Sequence, residues 1–235
     1  MLTALGWGAL AASSLVIGAL LALARRWPDE IVGAVLAFGA GALISSVAFE
    51  LAQEGLQVGS PISVAIGLAL GAVTFFVADR AVERIGGRNG GGAAGLPLAL
   101  GSLLDGIPEQ AVLGIGIATG EGVSVALLVA IFVSNLPEGI GSAADMRAAG
   151  KSRAVVLRLW IVVAVVCALA TVGGYAVADL AGGDVKAAID GFAAGALLVM
   201  LIDSMIPQAS QQAGKVAGLV TVLGFSVAAA LSSIG

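Results

Sequence analysis

Eight apolar runs, each near twenty residues, follow one another along this 235-residue chain with only short polar or glycine-rich breaks between them. They cover about 2–24, 31–52, 61–78, 96–119, 122–146, 154–179, 187–207 and 216–234. A helix of ~20 residues, rising 1.5 Å per residue, crosses the ~30 Å hydrocarbon core of a bilayer. One soluble core could not hide these runs, since 59% of the residues are apolar and only 11% charged, whereas soluble domains run to roughly half and a quarter. The sequence therefore predicts an all-α membrane protein with a single transmembrane domain over 1–235. A water-soluble enzyme, a nucleic-acid binder and a disordered linker are excluded. Seven spans is the alternative count, were the tight 96–146 stretch divided differently; the turn-forming Thr119-Gly-Glu-Gly122 favours eight.

Charge placement orients the spans. Ten of the eleven Lys and Arg fall in or beside the breaks after the first, third, fifth and seventh runs: Arg25, Arg26, Arg80, Arg84, Arg88, Arg147, Lys151, Arg153, Arg158 and Lys215. Lys186 alone falls on the other side. By the positive-inside rule the first group is cytoplasmic and both termini lie outside. Arg25 and Arg26 follow the first apolar run instead of preceding it, so that run reads as a retained helix and not a signal peptide. Trp7, Trp27 and Trp160 fall near run ends and read as interfacial anchors. The glycine-rich stretch 86–95 reads as a linker. Helical spans place the protein in an inner or plasma membrane, because outer membranes favour barrels.

Glycine, alanine and serine are spread through nearly every run, which suits close helix packing in lipid, within one chain or across a homodimer. Ala40-Gly-Ala-Leu43 in the second run recurs as Ala194-Gly-Ala-Leu197 in the seventh. Those two runs point in opposite directions, so the echo is either an inverted repeat of spans 1–3 and 6–8 about a 4–5 centre or a coincidence of four small residues.

Acids inside spans are costly and mark function. Those within runs are Glu50, Asp105, Glu109, Glu138 and Asp203; Asp145 and Asp190 fall near run ends and read as interfacial. Two stretches concentrate the signal, Asp105-Gly-Ile-Pro-Glu-Gln110 and Ser134-Asn-Leu-Pro-Glu-Gly139. Asp105 and Glu109 are four apart, as are Ser134 and Glu138, so each pair shares a helix face. Pro108 and Pro137 each precede a glutamate, remove a backbone donor and predict a kink. Carboxylates and freed carbonyls from two facing helices, with no basic residue between them, call for a bound cation. The competing reading makes the carboxylates protonated structural glue. Cys167, the single cysteine, excludes an internal disulfide and reads as packing. The absence of histidine removes imidazole as ligand, base or pH switch.

These two stretches resemble the fourth- and fifth-helix signatures of the ZIP family of divalent metal transporters, written H-N-x-P-E-G and H/Q-x-x-P-E-G. The resemblance implies a metal site between spans four and five, a three-plus-two-plus-three arrangement, and an alternating-access movement of the central helices. Glu109 and Glu138 match the bridging glutamates. Asp105 stands where histidine is usual, Gly106 where asparagine is, and Ser134 and Asn135 occupy the fifth-helix ligand positions. Glu50 and Glu54 match the end of the family's second helix, toward the outer mouth, and Asp203 the end of its seventh, toward the inner one.

The sequence thus predicts a carrier of metal into the cytoplasm and not an enzyme, needing no cofactor, with the metal ion and membrane lipid as partners. An all-oxygen donor set favours Mn²⁺ or Fe²⁺, with Zn²⁺ next. The alternatives are a ZIP-like metal sensor or scaffold without transport, and an intramembrane enzyme working through a carboxylate dyad.

Overall fold

The computed structural model describes residues 1–88, 95–118, 123–180 and 182–233; the side chains of 83, 85–88, 95–102, 105, 179 and 180 fall outside the description. The Thr119–Gly122 turn and most of the 86–95 linker also lie outside it. Among the described residues every regular element is helical, and they join into eight rods. These are α1 (Leu2–Ala24), α2 (Asp29–Val58), α3 (Pro61–Arg88), α4 (Gly95–Ala118), α5 (Val125–Ala148), α6 (Arg153–Leu180), α7 (Gly183–Ala213) and α8 (Val216–Ser232). Six of them are long and apolar enough over the described residues to cross a membrane: Leu2–Ala24, Asp29–Val58, Pro61–Val82, Val125–Ala148, Arg153–Ala178 and Gly183–Ala213.

Local chemistry sets the rod ends. Asp29 and Glu30 occupy the first turn of α2, where the unpaired amides favour negative charge. The Ser124 hydroxyl caps α5, accepting from the Leu127 amide at 3.1 Å. Gly150 and Gly214 end α5 and α7 with φ of +81° and +61°, a region glycine enters without a steric penalty.

Three rods are longer than the apolar pattern predicted: α3, which continues to Arg88, and α2 and α7, which share one further feature. The α2 rod carries a π-helical segment at Val47–Ala52 and α7 one at Leu201–Met205, after which each continues into a polar last stretch. The π segments begin at the same distance past Ala40 and Ala194, the starts of the two Ala-Gly-Ala-Leu sequences. Hydropathy reports where apolar side chains fall, not the hydrogen-bond pattern that carries a helix past them.

Close approach pairs the rods. The α3 rod lies along α7 and α8 along α2; α4 lies along α6 and α5 along α1; α2 also meets α5, and α1 meets α6. Gly41 sits against the Thr221 carbonyl of α8, and Gly195, its counterpart in the echo, against the Leu68 carbonyl of α3. In return Gly224 of α8 sits on the Phe38 carbonyl and Gly71 of α3 on that of Phe192. A Cβ at any of these four would overlap backbone, so small residues set the helix separation here. The buried core divides into one cluster centred on α2, α5 and α7 and another where α1, α5 and α6 meet. Trp160 belongs to the second cluster and is fully buried, not an interfacial anchor as its position near a run end suggested.

Candidate functional site

The two proline–glutamate stretches lie within α4 and α5, and both helices continue through Pro108 and Pro137. Proline has no amide hydrogen, so the carbonyls of Leu104 and Val133 lose their in-helix donors. Side chains then converge from the facing turns. Glu109 is 1% exposed, Ser134 0% and Asn135 1%; Glu138 is half-buried. The Ser134 hydroxyl stands 3.5 Å from Glu109 Oε1 while donating to the Ile131 carbonyl at 3.0 Å. The longer distance is at the outer limit for a hydrogen bond. The Asn135 amide nitrogen is buried with no hydrogen-bond partner among the described residues. Gly39 of α2 closes over this group, since a Cβ there would lie 2.7 Å from Ser134 Cα. The α2 helix therefore seats directly on the serine.

On the opposite flank the site meets α6. Gln110 Oε1 accepts from the Thr171 hydroxyl at 2.7 Å, and both residues are fully buried. One turn earlier on α4, a Cβ at Gly106 would lie 2.7 Å from Cys167 Sγ, so the thiol occupies the direction in which a side chain at 106 would project. Cys167 is fully buried, and Glu138 and Glu109 are the charged groups whose fields reach it. Its burial among Val163, Trp160 and Met146 agrees with the reading of this cysteine as packing.

The remaining candidates stand elsewhere. The backbone of Asp105 lies one turn before Glu109 on α4, but its side chain is outside the described residues. Glu50 lies in the π segment of α2 and accepts from the Ser232 hydroxyl of α8 at 2.8 Å. Glu54 pairs with Lys186 at 3.7 Å. Asp203 is exposed on the flank of α7, at a groove of about 420 Å³ lined by Leu68, Ala72, Phe76 and Leu198. Asp145 is exposed near the end of α5, and Asp190 is buried two turns into α7. Among the described residues no three Asp, Glu or Cys side chains are already gathered at metal-binding distances. The structure brings Ser134 of α5 to 3.5 Å from Glu109 of α4, with Asn135 buried one residue further on. Carboxylate and hydroxyl oxygens so placed are donors that suit a cation.

No family model matches the chain. The chain is similar to an Arabidopsis thaliana protein named "putative zinc transporter", with 28% identity over 193 residues. The similarity covers 78% of this chain and 31% of the plant protein, so the chain spans about a third of that protein's length.

Proposed function

We propose that this chain carries a divalent metal cation across a membrane, with Glu109 and Glu138 as its charged ligands and Ser134, Asn135 and Asp105 as further donors. The observation that carries the reading is the burial of Glu109 beside Pro108 of α4 with the Ser134 hydroxyl of α5 3.5 Å from it. Neither helix offers a cation before Arg147 at the end of α5. In a membrane such carboxylates need positive charge close by, and a transported ion provides it. The similarity to a protein named as a zinc transporter supports the same reading.

The architecture we propose is of the ZIP type: eight spans, helices 1–3 and 6–8 as an inverted repeat around helices 4–5, both termini outside and metal moving inward. The reciprocal pairing of α3 with α7 and α8 with α2, the matching of α4–α6 by α5–α1, and the two π segments at like positions support it. Glu50 and Glu54 then belong to the outer half of the pathway and Asp203 to the inner. Lipid covers the exposed apolar faces of α3 and α8. Oxygen donors alone suit Mn²⁺ or Fe²⁺; Cys167 adds the soft donor that Zn²⁺ favours, and we place zinc first.

A metal sensor or scaffold is the second reading, since the buried donors Glu109, Ser134 and Asn135 suit holding an ion as well as passing it on. Uptake by the purified protein in liposomes separates the two. Carriage requires Zn²⁺ or Mn²⁺ to accumulate inside protein-containing vesicles above empty ones, and binding without accumulation would leave a sensor.

A further inference from the structure

Besides Glu109, Asp190 is the one acid among the described residues that is almost completely buried, at 1% exposure. It lies two turns into α7, against the last turn of α2, where a Cβ at Gly55 would be 3.5 Å from Asp190 Cβ. The residue before that glycine, Glu54, meets Lys186 Nζ at 3.7 Å. Lys186 and Asp190 are four apart on α7, so ammonium and carboxylate lie on one helix face. Neither carboxylate oxygen of Asp190 has a hydrogen-bond partner among the described residues. Asp184, the other acid at this end of α7, is already engaged by the Ser60 amide at 2.7 Å and the Ser63 hydroxyl at 3.1 Å. The start of α3 brings no charge of its own.

Three charges of unequal count therefore share one corner of the bundle: two carboxylates on adjoining helices and one ammonium. The ammonium is held by the more exposed carboxylate, leaving the buried one without a donor. A single positive charge cannot neutralise both acids, whereas a divalent ion can. We propose that Glu54 and Asp190 bind a divalent metal cation at this end of the bundle, and that the Lys186 ammonium is a tethered competitor for the position. Both partners of the Glu54–Lys186 pair keep access to solvent, with side chains 22% and 16% exposed, and a lysine head is readily rehydrated on its flexible stem. Lys186 can thus withdraw to water as an ion arrives, trading one charge for two. In the orientation proposed above this corner faces outside, and it holds the only base on that side. The choice of a divalent metal as occupant rests on the transport reading.

The test is a Zn²⁺ titration by calorimetry of purified protein in detergent, with folding checked by circular dichroism and gel filtration. The Glu109→Gln, Glu138→Gln double variant removes the central site and is expected to retain one bound ion. Adding Asp190→Asn, or Glu54→Gln as an independent route, abolishes that remaining binding. Adding Lys186→Gln instead tightens it by about two- to fivefold, the scale of one partly exposed ion pair. Residual binding unchanged by Asp190→Asn and by Glu54→Gln overturns the outer site. So does a double variant that is folded but binds nothing when the wild type binds, in which case the central site stands. A wild type that binds no Zn²⁺ overturns both.

Discussion

Glu109 is the residue where desolvation weighs most, for it is buried at the depth of a proline that has already freed a carbonyl. Exchanging it for glutamine keeps its shape and removes its charge. Glu109→Gln, and likewise Glu138→Gln, should leave a folded protein whose metal uptake in proteoliposomes falls at least about tenfold, the effect of losing ~1.4 kcal/mol of ion binding. Uptake at the wild-type rate by either variant would remove them from the site. Metal choice is set next door. With Sγ against Gly106, Cys167→Ser replaces a soft donor by a hard one and should move the preference from Zn²⁺ toward Mn²⁺ in competition uptake, while Asp105→His should move it toward Zn²⁺. Equal zinc-to-manganese ratios in wild type and both variants would dissociate these side chains from selectivity. The glutamates were legible in the sequence because proline before glutamate, twice, inside apolar runs has few structural explanations. The burial of Asp190 was not, since which acid is covered is decided by packing between segments far apart in the chain.

At the scale of elements, neighbouring glycines on α6 make a sharp comparison. A Cβ at Gly174 would overlap the Ala111 carbonyl of α4, while one at Gly173 meets nothing within 4 Å. Gly174→Ala should therefore destabilise the α4–α6 contact by roughly 1–3 kcal/mol, the usual penalty for overpacking. Gly173→Ala should be neutral or stabilise by up to about 1 kcal/mol through helix propensity. Thermal unfolding in detergent distinguishes them, and equal shifts would mean that this glycine face does not set the helix separation. Helix number and approximate limits were readable because twenty apolar residues in a row leave the backbone little choice in lipid. The sequence falls short at the polar ends of α2, α3 and α7, which continue as helix beyond their apolar stretches. Exposed polar side chains such as Gln53, Gln211 and Ser210 satisfy a helix and a loop equally well, so composition gave no boundary there.

For the whole molecule, the asymmetry of basic residues makes a prediction of sidedness. Reporters fused at either terminus should be accessible from outside the cell, and one inserted at Gly91 only from within. The reverse pattern would turn the molecule over and exchange the roles given to the two ends of the pathway. Alternation of rod direction agrees with contacts already described: the start of α7 meets the end of α2 through Lys186 and Glu54, and meets Ser60, just before α3, through Asp184. Gly33 near the start of α2 meets Gln212 near the end of α7. The π segments have a consequence for how this chain tolerates changes of length. A π turn holds one residue more than the α turn it replaces, and each residue rotates a helix by about 100°. Deleting a single residue within Val47–Ala52 would let α2 relax to an α-helix and keep its glycine face on α8, yet swing Glu54 away from Lys186. Single-residue deletions in either π segment should accordingly be far more damaging to transport than to folding, and compensating insertions in the same segment should restore function without restoring the original sequence.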